Sequence, residues 1–228
     1  MCGIIGIIGS KNNEGVAGRV MEGLRRLEYR GYDSAGIATL IGGHIDRRRA
    51  EGKIINLANR LKEEPLAGDV GIGHTRWATH GIPNEINAHP HATSTVALVH
   101  NGIIENFREL KAELVDRGAN FASETDTEVV VHLISQYLKN GLDPVAAAES
   151  TLERLEGAFA LAVIFSGEHN LMVGARRGSP LVVGYGKDEM FLGSDAIALA
   201  PWTNRICYLD EGDWVIVRRD GAEIHEAS

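Results

Sequence analysis

The chain has 228 residues, of which 44% are hydrophobic and 24% are charged, so it can bury one sizeable core and does not have the composition of a disordered protein. Its 23 basic residues against 31 acidic ones give a formal net charge of −8, without the basic face that nucleic-acid binders carry. No apolar run approaches the roughly 20 residues of a membrane span, and the opening run lacks the basic segment of an export signal. We therefore expect a cytoplasmic protein with free thiols that binds neither nucleic acid nor membrane.

The first part of the chain predicts strands mixed with helices. The predicted elements are, in order, a buried strand at 2–8 (CGIIGII), a helix at 14–28, a hairpin at 34–50 that turns at Gly42-Gly43, a short helix at 54–63, and buried strands at 69–76 and 95–102.

The remainder predicts helices followed by strands. Helices are expected from Asn106 to Val115 with Asn106 as cap, from about Asp126 to Leu138, and from about Pro144 to Leu155 with Asp143 as cap; strands are expected at 158–165, 170–175, 180–185, 189–194, 205–210 and 213–219. Strands first, helices in the middle and a strand meander last indicate one α+β domain with helices packed on sheets.

A cysteine directly behind the initiator methionine is the first candidate for chemistry. Removal of Met1 would leave Cys2 with both a thiol, whose ordinary pKa is about 8.5, and an α-amine that titrates at about 7.7–8.0. One residue would then supply a nucleophile and its base, as in the pairing of a threonine with its own terminal amine. The alternative is a small cysteine buried in an apolar strand.

An Asn-Gly pair ends the apolar run VALVHNG. Such a pair is most often a hairpin turn, but a helix cap follows here instead of an alternating strand. The functional interpretation is an oxyanion hole, in which the Asn101 side-chain amide and the Gly102 backbone N–H point at one spot.

Two charged residues are candidates for binding a zwitterion, a ligand that carries both a carboxylate and an ammonium group. Arg76 offers a fork that suits a carboxylate, and Trp77 beside it can wall a pocket. Asp126 begins a predicted helix, where it can bind an ammonium group. The plainer roles are a surface ion pair for Arg76, packing for Trp77, and a helix cap for Asp126.

The sequence carries no cofactor motif. The histidines at 74, 80, 89 and 91 match no zinc template, so we expect no metal. The opening glycines are spaced Gly-x-x-Gly-x-x-Gly, which is not the dinucleotide fingerprint, and no phosphate-binding Walker loop is present.

Several motifs together resemble a known family. The stretches MCGIIGIIG, LRRLEYRGYDSAGIA, GHTRWATHG, NAHPH, VHNGIIEN and SETDTEV are similar to the glutaminase domain of the glutamine–fructose-6-phosphate aminotransferase family, which belongs to the class II glutamine amidotransferases. The resemblance covers essentially the whole chain. CGI alone fits any class II enzyme, whereas EYRGYDSAG with HTRWATHG is more specific to the glucosamine-forming branch.

The resemblance implies the fold and a role for each site residue. The fold would be the N-terminal nucleophile hydrolase type, a four-layer αββα sandwich. Cys2 would be the nucleophile with its α-amine as base, and Asn101 and Gly102 would form the oxyanion hole. The positions that hold or enclose L-glutamine would be Arg76, Trp77, Thr79, His80 and Asp126. Arg30 would support the nucleophile loop.

The resemblance also predicts partners outside this chain. Residues 1–228 would form the glutaminase domain, and family members add two sugar-phosphate isomerase-like domains, where ammonia would reach fructose 6-phosphate and through which homodimers would form. The chain would then release ammonia from glutamine and make no glucosamine 6-phosphate by itself. The alternatives are the glutaminase domain of a different class II amidotransferase, an acylase acting on other amides, and a non-catalytic module that senses glutamine or serves as a docking domain.

Overall fold

The computed structural model describes residues 2–10, 15–77 and 82–227, and within them the chain forms two antiparallel sheets. The strands are β1 (Gly3–Ile8), β2 (Ser34–Ile41), β3 (His44–Glu51), β4 (Val70–Arg76), β5 (His91–Ala92), β6 (Val96–Ile104), β7 (Gly157–Phe165), β8 (Met172–Arg177), β9 (Val182–Tyr185), β10 (Met190–Gly193), β11 (Ile206–Tyr208), β12 (Trp214–Arg218) and β13 (Gly221–His225). The helices are α1 (Ala17–Leu27), α2 (Ile54–Glu63), α3 (Phe107–Asp116), α4 (Thr127–Lys139), α5 (Pro144–Leu152) and α6 (Ala196–Leu199).

The helices and sheets stack in four layers. The first sheet has the order β11-β9-β10-β1-β4-β2-β3 and the second the order β13-β12-β8-β7-β6-β5. One apolar cluster joins α1, α2 and α6 to the first sheet, another fills the space between the sheets, and a third joins the second sheet to α3, α4 and α5. Three clusters between four layers make the αββα sandwich, so the predicted fold class is confirmed.

The opening strand shows why its sequence is apolar throughout. Ile4 and Ile8 pack between the two sheets, whereas Ile5 and Ile7 pack under the first helix layer. Because successive side chains point to opposite faces, a strand covered on both faces needs apolar residues at every position. Gly6 allows the second sheet to approach, since a Cβ there would lie 2.5 Å from the sulfur of Met172.

Most predicted elements are confirmed to within a few residues. The hairpin β2–β3 turns between Ile41 and His44, around the two predicted glycines. Helix α2 has the predicted bounds. The side chain of Asp143 accepts hydrogen bonds from the first N–H groups of α5, as its cap assignment requires, although α5 ends at Leu152 and not near Leu155. Among the helices of the described ranges, none is long and apolar enough to cross a membrane.

Two predictions about the chain path are wrong. Asn106 precedes α3, but its side chain does not cap that helix; it donates to the carbonyl of Arg154 (2.8 Å) and accepts from the N–H of Glu156 (3.1 Å), and so ties α3 to the chain before β7. The last strands are not a simple meander, because β9, β10 and β11 join the first sheet while β12 and β13 return to the second. The short elements β5, α6 and β13 were not predicted.

Candidate active site

A cavity of about 290 Å³ lies where the opening of β1 meets β6 and the start of α4. Every predicted site residue that the structure describes lines this cavity: Cys2, Arg30, Arg76, Trp77, Asn101, Gly102 and Asp126. The remaining two, Thr79 and His80, lie outside the described residues. Side chains from both sheets and from a helix start therefore converge on one space of the size that suits a small ligand.

Cys2 lies directly before β1, and contacts with the Trp77 backbone hold its side chain in place. Its Sγ accepts a hydrogen bond from the backbone N–H of Trp77 (3.1 Å) and lies 3.4 Å from the carbonyl oxygen of the same residue. Burial raises the pKa of the thiol, and the Trp77 contact and the charge of Arg76 only partly oppose this. The thiol is therefore mainly protonated near neutral pH, so it needs a base before it can act as a nucleophile.

Asn101 and Gly102 lie within a continuous strand. β6 pairs with β7 from Val96 to Ile104, so the Asn-Gly pair is not a hairpin turn. The Asn101 Nδ2 donates to the carbonyl oxygen of Cys2 (3.1 Å), which places the amide beside the thiol-bearing residue. Gly102 has a φ of +114°, and a Cβ there would lie 2.0 Å from the carbonyl oxygen of Ala158. Only glycine fits this position without strain.

The two charged candidates are both buried at this cavity. Arg76 ends β4, and its pKa is lowered by burial, which the nearby Cys2 and Asp126 partly offset. Asp126 precedes α4 but does not cap it; its Oδ2 accepts from the backbone N–H of Ile104 (2.8 Å). A cationic and an anionic group thus border one small space, an arrangement complementary to a free amino acid.

Trp77 and Arg30 lie at the rim. Trp77 is 45% exposed and meets Tyr32 edge to face, with ring centroids 5.4 Å apart, so it walls the cavity and is not a core residue. Arg30 donates to the hydroxyl of Tyr29 (2.9 Å) and forms an ion pair with Asp195, which caps α6. Arg30 is thereby anchored to the start of α6.

Buried histidines adjoin the oxyanion candidates, and two of them, His89 and His100, also line the cavity. Their contacts are His74 Nε2 with Asn101 Oδ1 (3.0 Å), His89 Nε2 and His100 Nδ1 with the Thr127 hydroxyl (2.8 and 2.9 Å), and His91 Nε2 with the Thr125 hydroxyl (3.0 Å). Burial is the main cause that lowers the pKa of His74 and of His91 to about 3, and it lowers that of His89 well below its usual value. His74, His89 and His91 are therefore uncharged near neutral pH. Together with His100 they form the histidine cluster.

A comparison with protein families identifies the domain. Residues 74–201 match the model of the glutamine amidotransferase domain, which is more than half of the chain. The chain belongs to the glutamine amidotransferase family. The matched segment contains the oxyanion candidates and both charged residues described above.

Similar sequences have the same assignment. The chain is 64% identical over 226 residues to glutamine–fructose-6-phosphate aminotransferase (isomerizing) of Mesorhizobium japonicum and 61% identical to the enzyme of that name in Brucella abortus. Each match covers 99% of this chain and 37% of the relative. The chain thus spans little more than a third of the length of these relatives.

Solved structures of the family share the fold. Glutamine phosphoribosylpyrophosphate amidotransferase from B. subtilis superposes with a TM-score of 0.82 at 27% identity, over 98% of this chain and 49% of that one. A glutamine aminotransferase class-II domain protein from Silicibacter pomeroyi superposes over 99% of both chains with a TM-score of 0.66 at 17% identity, which supports the fold alone.

Sequence reasoning considered His74, His89 and His91 only as metal ligands and did not connect them with the site. The signal was a set of polar side chains in strands whose other residues are apolar, such as His74 in VGIGHTR. Buried polar side chains need partners, but the sequence does not reveal which residue of another strand supplies them.

Proposed function

We propose that this domain hydrolyses the side-chain amide of L-glutamine to glutamate and ammonia, with Cys2 as the nucleophile. The observation that carries the proposal is the placement of the Cys2 thiol in a cavity that also contains Asn101 and paired charges of opposite sign. Removal of Met1 is required, because the raised pKa of the thiol calls for a nearby base, and a freed α-amine on Cys2 itself is one.

Substrate binding uses the two buried charges. The α-carboxylate of glutamine pairs with Arg76, and its α-ammonium pairs with the Asp126 oxygen that the Ile104 N–H does not engage. With both α-groups held, the side chain extends toward Cys2. Trp77, Thr79 and His80 are proposed to enclose the ligand, and Arg30 to support the nucleophile loop.

In the first step, the Cys2 α-amine takes the thiol proton and Sγ attacks the amide carbon of glutamine. The carbonyl π electrons move to the oxygen, and the Asn101 amide and the Gly102 N–H donate to this oxyanion; one such donor contributes about 3–4 kcal/mol. The intermediate collapses as the carbon–nitrogen bond breaks, and the ammonium passes its proton to the departing ammonia. The product is a γ-glutamyl thioester on Cys2.

In the second step, water adds to the thioester carbon with the same amine as base. The carbon–sulfur bond breaks, glutamate leaves, and the thiol regains a proton. The cycle consumes one water and needs no metal or other cofactor.

The longer relatives suggest where the ammonia goes. We infer that residues 1–228 form the glutaminase domain of a larger enzyme that makes glucosamine 6-phosphate, because the 64% and 61% identical relatives carry that aminotransferase name and extend well beyond the matched region. Fructose 6-phosphate would bind in the isomerase domains, and homodimers would form through them. A cytoplasmic location remains a prediction.

Labelling with an electrophilic glutamine analogue tests the proposal. We expect one adduct per chain, mapped to Cys2 by peptide mass spectrometry, together with ammonia release from glutamine that is lost in Cys2→Ala. Cys207→Ala is the matched control, since Cys207 is the second free cysteine of the sequence and lies away from the cavity on β11; it should keep both the adduct and the activity. An adduct on another residue would overturn the assignment of the nucleophile.

Two further measurements separate the alternatives. Only glutamine should give fast ammonia release, and faster release from other amides would indicate an acylase. Intact mass reports whether Met1 is removed, and a chain that retains Met1 and releases no ammonia would be a non-catalytic glutamine-binding module.

A further inference from the structure

One hydrogen bond behind the cavity joins the two sheets. His74 lies on β4 of the first sheet and Asn101 on β6 of the second, and His74 Nε2 is 3.0 Å from Asn101 Oδ1. The other end of the same amide donates to the carbonyl oxygen of Cys2, just before β1 of the first sheet. The first sheet therefore holds the Asn101 side chain at both its oxygen and its nitrogen.

These two contacts fix which way the amide points. A side-chain amide has an accepting oxygen and a donating nitrogen, and rotation by 180° about its last bond exchanges them. A proton on His74 Nε2 makes that nitrogen a donor, so it stabilises the orientation in which Oδ1 faces the histidine and Nδ2 faces Cys2. The flipped orientation would set two donors against each other and turn a carbonyl oxygen toward the carbonyl of Cys2.

The surroundings of His74 keep it in place and uncharged. It is completely buried, its ring packs against that of His89 with centroids 4.3 Å apart, and burial lowers its pKa to about 3. A neutral imidazole has one N–H, and the contact with Asn101 requires that proton on Nε2. His74 does not itself line the cavity, and it contacts the lining through Asn101, by the hydrogen bond, and through His89, by ring packing. The hydrogen bond is the contact that acts on a proposed oxyanion donor.

We propose that His74 is a positioning residue that holds the Asn101 amide with its N–H groups toward the oxyanion. This inference rests on the proposed glutamine hydrolysis, to which it adds a residue that does not contact the substrate. Loss of the His74 donor lets the amide rotate and weakens stabilisation of the transition state. Binding of the substrate α-groups, which Arg76 and Asp126 perform, is unaffected.

A double-mutant cycle tests this role in the full chain. His74→Phe keeps a ring of similar shape without the donor, and we expect kcat to fall about tenfold or more, with KM changed less than about twofold, because one oxyanion donor is worth about 10²–10³ in kcat. His74→Gln restores an N–H donor and should recover most of the rate. In an Asn101→Ala background His74→Phe should change kcat less than about threefold, because two residues that act through one contact are not additive.

The matched control is His91→Phe. This histidine belongs to the same buried cluster but contacts Thr125 and not Asn101, so its effect on kcat should be small and additive with that of Asn101→Ala. Alkylation of Cys2 by iodoacetamide, which forms no oxyanion, gives the fraction of intact sites. Should His74→Phe fail to fold, His74→Asn supplies a second variant whose shorter amide does not reach Asn101, with the same kcat loss expected.

The outcomes separate the two levels of the hypothesis. Wild-type chain that releases no ammonia from glutamine refutes the proposed function. Active wild type, with a His74→Phe effect that persists undiminished in Asn101→Ala or that appears mainly in KM, refutes the positioning role alone.

Discussion

The buried histidines are expected to make the fold sensitive to mild acid. His74 and His91 are at most 3% exposed, and burial lowers the pKa of each to about 3 from an ordinary value of 6.5. In the unfolded chain these two imidazoles are therefore protonated below about pH 6.5, whereas in the folded chain they stay neutral down to about pH 3. Because the unfolded state binds more protons in this range, lowering the pH from 6.5 toward 3 progressively reduces the free energy of unfolding. Above pH 6.5 the two histidines cause no such loss.

The size of the effect follows from proton linkage. Between pH 7 and pH 5, one histidine that titrates at 6.5 only in the unfolded chain lowers the free energy of unfolding by about 2 kcal/mol, so His74 and His91 together lower it by about 4 kcal/mol. His89 acts in the same direction. The pKa of Glu128 is lowered to about 2 from 4.5, so its contribution is lost only at lower pH, outside this window. A loss of about 4 kcal/mol is a large part of the about 5–15 kcal/mol that stabilises a typical domain.

Urea unfolding at pH 7 and pH 5 measures this loss. His91→Gln keeps a polar group near Thr125 and should reduce the loss between the two pH values by about 2 kcal/mol. His169→Gln is the matched control, because that histidine is exposed and far from the cluster in sequence; it should leave the loss unchanged. A wild-type loss below about 1 kcal/mol, or a His91→Gln loss equal to that of wild type, would refute the assignment of acid sensitivity to these buried rings.

Three further predictions concern the reaction. Asn101→Ala should lower kcat by about 10²–10³ with little change in KM, because its amide is proposed to stabilise the oxyanion and not to bind the α-groups of the substrate. Steady-state ammonia release checks this, and a change confined to KM would contradict it. Asp126→Asn keeps an acceptor for the Ile104 N–H but removes the charge, so KM for glutamine should rise about tenfold or more; an unchanged KM removes Asp126 from the binding site. Gly102→Ala places a Cβ 2.0 Å from the carbonyl oxygen of Ala158 at a φ of +114°, so both melting temperature and kcat should fall, and a variant that matches wild type in both would show that the strand relaxes freely.

Much of the fold could be predicted because its signals are local. The continuous apolar run of β1 indicates a strand covered on both faces, and Asp143 before Pro144 marks the start of α5. The resemblance supplied the sandwich, which periodicity alone does not name. The site residues that the structure describes could be predicted as a set because the resemblance assigns a role to each of them, and the structure places all of them at one cavity.

The rest depends on contacts between distant segments. β9, β10 and β11 join the first sheet because β10 pairs with the distant β1, as in Ile5 opposite Gly193, while β9 pairs with β10 and β11 with β9. Asn106 has the residue type of a helix cap, but hydrogen bonds to the chain before β7 compete successfully for its side chain. The pairing of His74 with Asn101 exists only because two sheets face each other.

The continuous path of β6 through Asn101 and Gly102 has a consequence for how the domain can change over time. These proposed oxyanion donors belong to a hydrogen-bonded ladder that runs from Val96 to Ile104, whereas Trp77 at the rim leaves the end of β4. Substitutions at Trp77 are therefore expected to alter which amides bind, while the proposed oxyanion donors, which strand pairing holds in place, keep their positions.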